Sequence, residues 1–164
     1  MQSQQPRKDA RKPLPDIVSE ETRSRMMSGI RGKDTKPEIL IRKALHARGF
    51  RYRLHSTGIP GKPDIALPSR RAAIFINGCF WHGHDCHLYR LPSTRPEFWQ
   101  TKIDRNRARD ELVRAQLVAK GWRHLTIWEC AIRGPTRIGI NETVERAHRW
   151  IESTTGSSEI RGIA

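Results

Sequence analysis

The thirteen residues from Asn77 to Tyr89, NGCFWHGHDCHLY, hold two cysteines, three histidines, an aspartate and an adjacent Phe-Trp pair. Thiols and imidazoles at this density form the donor set of a borderline-soft cation, and imidazole also moves protons near neutral pH. Cys79, His84 and Cys86 fall within eight residues, and the third cysteine of the chain, Cys130, follows a later apolar run, so three thiols and one imidazole can converge on one ion. Zinc takes four such ligands tetrahedrally in structural sites and leaves no position open for a substrate. The spacing C-x4-H-x-C is not the common CxxC knuckle, and His82 and His87 compete with His84 for the fourth place. Inert buried thiols beside surface histidines are the alternative reading. Cys130 discriminates: packed as a small hydrophobe, it removes the metal.

Just upstream lies GKPDIALPSRRAAIFIN, in which Pro63-Asp64 opens one apolar run and Asn77 closes the next. A carboxylate at a strand start, beside the end of a neighbouring strand, can hold a hard divalent cation against a phosphodiester. Such a cation polarises the phosphoryl oxygen and lowers the pKa of a bound water. On the dipeptide alone, an ordinary turn is the stronger reading.

These residues need elements to position them. Thr35, Pro37 and Glu38 resemble a capping box, and Ile39, Leu40, Ala44 and Leu45 repeat at helical spacing until Gly49, so a helix is expected there. RYRLH, DIALP and RRAAIFI read as three short strands of a hairpin-type sheet, separated by STGIPGKP and PSR. Thr94, Pro96 and Glu97 give a second N-cap signature, opening a long charged helix over about 96–119 that stops before Gly121. WRHLTIWE is a fourth strand, and a final helix is expected over about 141–153. The expected order is α, β, β, β, α, β, α: a single domain over 22–154, between a flexible basic tail at 1–21 and a polar tail at 155–164.

The 164 residues carry 31 Lys and Arg against 17 Asp and Glu, a formal net charge of +14, which answers to a polyanionic partner, nucleic acid first. No polybasic amphipathic segment points to a membrane surface. No apolar run approaches the roughly 20 residues of a bilayer span, and MQSQQPRKDARKPLP lacks an apolar signal core. The expected location is the cytoplasm, where an odd set of three cysteines favours metal binding or buried thiols over disulfides.

The blocks TRSRMM, GKPD, FINGCFWHGHDC, RPEFW and WEC, in this order, resemble the bacterial very short patch repair (Vsr) DNA mismatch endonucleases over about Thr22 to Arg133. The resemblance implies a compact α/β restriction-endonuclease-like core, a mixed central sheet flanked by helices, with structural Zn2+ and catalytic Mg2+. It implies a nick in one strand of duplex DNA, 5′ to the thymine of a T:G mismatch left by deaminated 5-methylcytosine. Carried over by position, Asp64 and the backbone carbonyl of Ile76 hold magnesium, and His82 works on the attacking water. Glu38 supports the hydrated metal, or merely caps its helix. Asn77 stands where other members carry a second histidine: it can hydrogen-bond a phosphate or water but cannot shuttle a proton near neutral pH. Zinc falls to Cys79, His84, Cys86 and Cys130. Gly83 lets the rings of His82 and His84 point apart.

In the family, the positions of Phe80, Trp81 and Trp99 form a wedge pushed into the base stack beside the mismatch, where unstacking is cheapest. Met27 contacts the opposite groove or staples a helix. Trp122, Trp128 and Trp150 lie in strand and helix patterns and are expected in the core. Arg105, Arg107, Arg109 and Arg114 are expected on the DNA backbone, some of them only as a solvated helix face. The partners implied are mismatched DNA and, at family level without a motif here, a MutL-type repair protein. The expected state is a bacterial, nucleoid-associated monomer. Two rivals remain: a zinc-stabilised DNA-binding module without catalysis, and a restriction or homing nuclease that cuts both strands.

Overall fold

The computed structural model describes residues 32–163 and, before them, Ser19, Glu21, Thr22, Ser24 and Arg25. The segment expected as a basic tail, 1–21, lies outside the described residues apart from Ser19 and Glu21, and Met27 lies outside them too. The chain divides into two units, Met1–Ile30 and Arg31–Ala164. In the first, the Ser19 hydroxyl accepts the Thr22 amide at 3.2 Å, as an N-cap does. The second unit carries every element described below.

From Gly32 onward the order is α1 (Lys36–Ala47), β1 (Ile65–Leu67), β2 (Ala72–Asn77), α2 (Pro96–Ala119), β3 (Arg123–Trp128), α3 (Ile140–Glu152) and β4 (Ser158–Ile160). Thr35 caps α1 as expected, although the Glu38 carboxylate takes the Asp34 amide and not the Thr35 amide of a full capping box. Thr35 Oγ1 accepts the Glu38 amide at 3.5 Å and donates to Glu38 Oε1 at 2.9 Å. The α1 residues Ile41 and Leu45, four apart, are fully buried.

The sheet is mixed, in the order β1-β2-β3-β4. β1 and β2 pair antiparallel, whereas β2 with β3 and β3 with β4 pair parallel. Parallel neighbours need crossovers, and the helices provide them: α2 carries the chain from β2 to β3, and α3 from β3 to β4. The side-chain alternation of the strands sorts the helices into layers. Ile65, Leu67, Ile74, Leu125 and Ile127 pack with Ile41 and Leu45 of α1 and with Val144, Ala147 and Ile151 of α3. On the opposite face, Ala66 and Ala73 meet Leu117 of α2, joined by Phe75, Val113 and Trp122. Burying each large aliphatic side chain stabilises the fold by about 1.5–3 kcal/mol. The central strands are covered on both sides, which is why β3 is buried from His124 to Trp128, its polar His124 and Thr126 included.

Four expectations change. RYRLH is not a strand; only Arg53 pairs, in an isolated antiparallel bridge to Ala66. The turn-rich stretch after it keeps the chain from extending further along β1. Thr94 does not cap α2: the N-cap is Arg95, in the left-handed region (φ 51°), and no side chain caps it. The hairpin is extended by two parallel strands, which gives the mixed sheet that the resemblance implies in place of a purely hairpin-type one. Finally, 155–164 is not simply a polar tail, because Ser158, Glu159 and Ile160 register against Leu125, Thr126 and Ile127. A three-residue strand with one buried side chain, Ile160, has too short a pattern to announce itself.

Candidate active site and metal centre

The Cys/His stretch leaves β2 at Asn77 and folds into a knot of turns. His84 donates its amide to the Cys79 carbonyl at 2.9 Å, Cys86 to His84 at 2.9 Å, and Tyr89 to Cys86 at 3.0 Å. This brings Cys79, His84 and Cys86 to Cys130, with all four ligand atoms within 4.8 Å of one another. A tetrahedron with zinc–sulfur bonds of about 2.3 Å has edges near 3.8 Å, so the donor set fits such an ion in type and spacing. Cys130 Sγ lies 3.6 Å from His84 Nδ1. His82 and His87 point elsewhere, the latter to Thr136 Oγ1 at 3.1 Å.

The electrostatics of the knot favour a cation. Burial pushes the Cys79 and Cys130 thiols up and the His84 imidazole down, so without a counter-charge the thiols keep their protons. Two backbone amides nevertheless point at sulfur: Cys130 N at Cys79 Sγ and Gly162 N at Cys130 Sγ, both 3.3 Å. Trp128 stacks on His84 with centroids 4.1 Å apart. Glu129 accepts the Cys79 amide at 3.3 Å. Arg161 reaches back to Asp85 Oδ1 at 2.7 Å, so the segment after β4 ties onto the knot. Gly162 permits this approach, since a Cβ there would meet the Cys130 carbonyl oxygen at 2.6 Å.

Beside the knot lies a cavity of about 340 Å3 lined by Glu38, Asp64, Ile76, Asn77 and His82, together with Asp110, Arg109 and Arg114. The sheet explains the convergence. Asp64 immediately precedes β1, and its Oδ2 accepts the Ile76 amide of β2 at 2.7 Å. Burial pushes the Asp64 carboxyl up to about 6, opposed by that amide and reinforced by the charge of Glu38. A desolvated carboxylate beside a strand end is the donor type that a hard divalent cation takes, and a bound cation would reverse the shift. Besides its part in the cap, Glu38 accepts the Asp34 amide and Arg42 Nη2 at Oε2, each at 2.8 Å, and its side chain lines the cavity.

His82 donates or shares Nδ1 with Asp110 Oδ2 at 2.5 Å. A carboxylate on Nδ1 fixes the ring and the tautomer, leaving Nε2 as the proton acceptor. Sequence reading missed Asp110, which sits 28 residues away on α2 among many other charges. Asn106, one turn earlier on the same helix, donates to the Trp81 carbonyl at 2.8 Å, a relation that no local pattern carries. Gly83 adopts φ 58°, and a Cβ there would meet Arg107 Nε and Ile103 Cγ2 at 2.6 Å, so glycine is required by close approach as well as by conformation. Arg107 folds onto the Gly83 carbonyl, bracing the loop instead of extending outward.

Phe80, Trp81 and Trp99 form one cluster, with Phe80 centroids 5.1 Å from Trp81 and 5.5 Å from Trp99. All three are part-exposed. Lys102 Nζ sits 5.2 Å from the Trp81 ring and 5.5 Å from that of Trp99. Trp128 and Trp150 are buried as expected, and Trp122 is partly so.

A family model described as DNA mismatch endonuclease Vsr matches residues 15–88. The DNA mismatch endonuclease Vsr of Escherichia coli is 37% identical over 147 residues, 90% of this chain and 94% of the relative. A type II nicking enzyme of Xanthomonas oryzae pv. oryzae is 46% identical over 119 residues, 73% of this chain and 88% of its own. One from Neisseria meningitidis serogroup A is 40% identical over 120 residues, 73% and 86% respectively.

Proposed function

The chain belongs to the Vsr family of DNA mismatch endonucleases, hydrolases of phosphodiester bonds, and from that premise we propose that it nicks one strand of duplex DNA 5′ to the thymine of a T:G mismatch. The observation that carries this reading is the gathering of Glu38, Asp64, Ile76, Asn77 and His82 on one cavity beside the aromatic cluster. The layered mixed sheet supports assignment to the restriction-endonuclease-like fold.

Asp64 and the Ile76 carbonyl would hold magnesium, which when bound supplies positive charge to the scissile phosphoryl group. His82 Nε2 takes the proton of the attacking water while Asp110 holds Nδ1. Arg109 and Arg114, on the cavity rim, face the phosphate charge. Asn77 offers hydrogen bonds there without proton transfer. The products are a 5′-phosphate and a 3′-hydroxyl. Cys79, His84, Cys86 and Cys130 would hold zinc apart from the substrate, stiffening the loop that aims His82 and the ring cluster. Phe80, Trp81 and Trp99 enter the base stack, where a defective pair lowers the cost of unstacking. Met27 would approach from the opposite groove. The enzyme works as a cytoplasmic, nucleoid-associated monomer, and a MutL-type protein is its proposed repair partner. No helix among the described residues is long and apolar enough to cross a membrane.

The test is a panel of 5′-labelled duplexes carrying each mismatch, with magnesium or with chelator. One magnesium-dependent nick at T:G is expected. Cutting both strands of perfectly paired DNA equally well would overturn the reading.

A further inference from the structure

His84 offers the metal centre one nitrogen and turns the other away. Its Nδ1 lies 3.6 Å from Cys130 Sγ, on the side of the thiols, so Nδ1 is the atom for an ion and Nε2 is left to carry the ring proton. That Nε2 is buried and has no hydrogen-bond partner. A buried donor without an acceptor is costly, so the group it faces matters. It faces the next residue of the chain: Asp85 Oδ1 stands 3.5 Å from Nε2.

The Asp85 carboxylate is aimed from the far end of the chain. Arg161 Nη2 donates to the same Oδ1 at 2.7 Å and to the Asp85 carbonyl at 3.4 Å. Two residues before Arg161, Glu159 Oε2 accepts the Trp128 indole Nε1 at 2.9 Å, and the Trp128 ring lies on His84 with the two planes 16° apart. Glu159 thus steadies the ring that covers the imidazole face, and Arg161 steadies the carboxylate at its edge. An exposed ion pair of Asp85 with Arg161 contributes little by itself, and the Asp85 side chain is 77% exposed. The orphaned nitrogen of a residue that is itself 6% exposed is what gives the pair a task.

We propose that Asp85 is the outer partner of the zinc ligand His84: its carboxylate accepts the Nε2 proton and keeps Nδ1 bare toward the metal, while Arg161 holds it in place. Asp85 is not one of the four ligands and touches no reacting atom, so it acts as a positioning residue. The inference rests on the assignment of zinc to Cys79, His84, Cys86 and Cys130. A carboxylate on the outer nitrogen of a metal-bound imidazole fixes the tautomer and raises the basicity of the ligating nitrogen, and losing such a partner weakens metal holding by about 10–100-fold.

The full chain is assayed for zinc, its histidine rings are read by long-range 1H–15N NMR, and zinc release to a colorimetric chelator is timed. The unaltered, zinc-loaded protein is expected to show His84 with a bare Nδ1 and an Nε2 proton that exchanges slowly with water. Asp85→Ala should release zinc about 10-fold faster and bring that proton into fast exchange. Arg161→Gln should have a smaller effect, and combining it with Asp85→Ala should change nothing further, because it acts through the carboxylate. A zinc-bound His84 that carries its proton on Nδ1 in the unaltered protein overturns the proposal, and that spectrum requires no variant to fold. So does an Asp85→Ala protein whose zinc release changes less than about three-fold. Equal effects of Asp85→Ala and Arg161→Gln, the mark of a plain surface clasp, overturn it too. A chain that binds no zinc overturns the zinc assignment and this proposal together, whereas one zinc held through Nε2 overturns this proposal alone.

Discussion

Asp64 is kept in an environment that opposes its charge. Its folded pKa of about 6 exceeds the value near 3.9 of an unfolded aspartate, so the unfolded state ionises first as pH rises. Folding stability is therefore lost between about pH 4 and 6, and the penalty is full above that range. Two units correspond to about 3 kcal/mol, which partial exposure reduces to about 1–2 kcal/mol. Asp64→Asn should raise Tm at pH 7.5 by several degrees and leave it unchanged at pH 4, while abolishing nicking and sparing T:G binding. Thermal melts at the two pH values, with a gel-shift assay, check this. Magnesium should raise the Tm of the unaltered protein and not that of the variant. For the other half of the cavity, Asp110→Asn presents a donor or a neutral acceptor to His82 Nδ1 and weakens its hold on the tautomer. Single-turnover nicking should fall about a hundred-fold with mismatch affinity changed less than about two-fold. At this scale the Cys/His set was legible because three of its members lie within eight residues and the chain has one other cysteine. Asp110 and Arg42 were not, because each is one charge among many on a helix and gains meaning only from what the fold sets opposite it.

Among the elements, the loop carrying Phe80 to His84 depends on α2 more than on itself. Arg107 and Ile103 press against Gly83, and Asn106 holds the Trp81 carbonyl. Gly83→Ala should cost about 1–3 kcal/mol through overpacking and a left-handed backbone, and should lower nicking as His82 shifts. Denaturant unfolding and single-turnover rates measure the two effects. Helix existence was readable from caps and periodicity, as at Thr35 to Glu38. Helix α2 was readable in its extent but not in its cap, since Arg95 takes that position through an unusual backbone and offers no side-chain signal. Strand β4 escaped for a different reason: its worth lies in pairing with β3 and in the Gly162 amide behind it, neither of which a local pattern carries. Gly162→Val, which would drive a side chain into the Cys130 carbonyl, should speed zinc loss to a colorimetric chelator while leaving α1 helicity intact.

For the whole molecule, the charge of +14 should set the salt response, with exposed arginines of α2 among the groups that meet a polyanion. Helix α2 runs 24 residues with only Ile103 and Leu117 fully buried, so its outer face is free to track a polyanion. Arg105 and Arg109 are both exposed. Changing both to Gln should reduce the slope of log affinity against log salt by about 2, measured by fluorescence anisotropy between 50 and 200 mM salt. Arg107 should contribute less to that slope, because it is spent on the loop.

The bond from Gly162 to the Cys130 sulfur, with Ile160 beside Ile127, has a bearing on biosynthesis. A nascent chain still holding residues 158–162 inside the ribosomal tunnel has made every proposed zinc ligand and every proposed catalytic side chain, yet lacks the strand and amide that close the knot. Translation therefore makes the closing strand after every ligand it braces, and a polypeptide cut just short of Ser158 should nick DNA far more slowly than the intact chain.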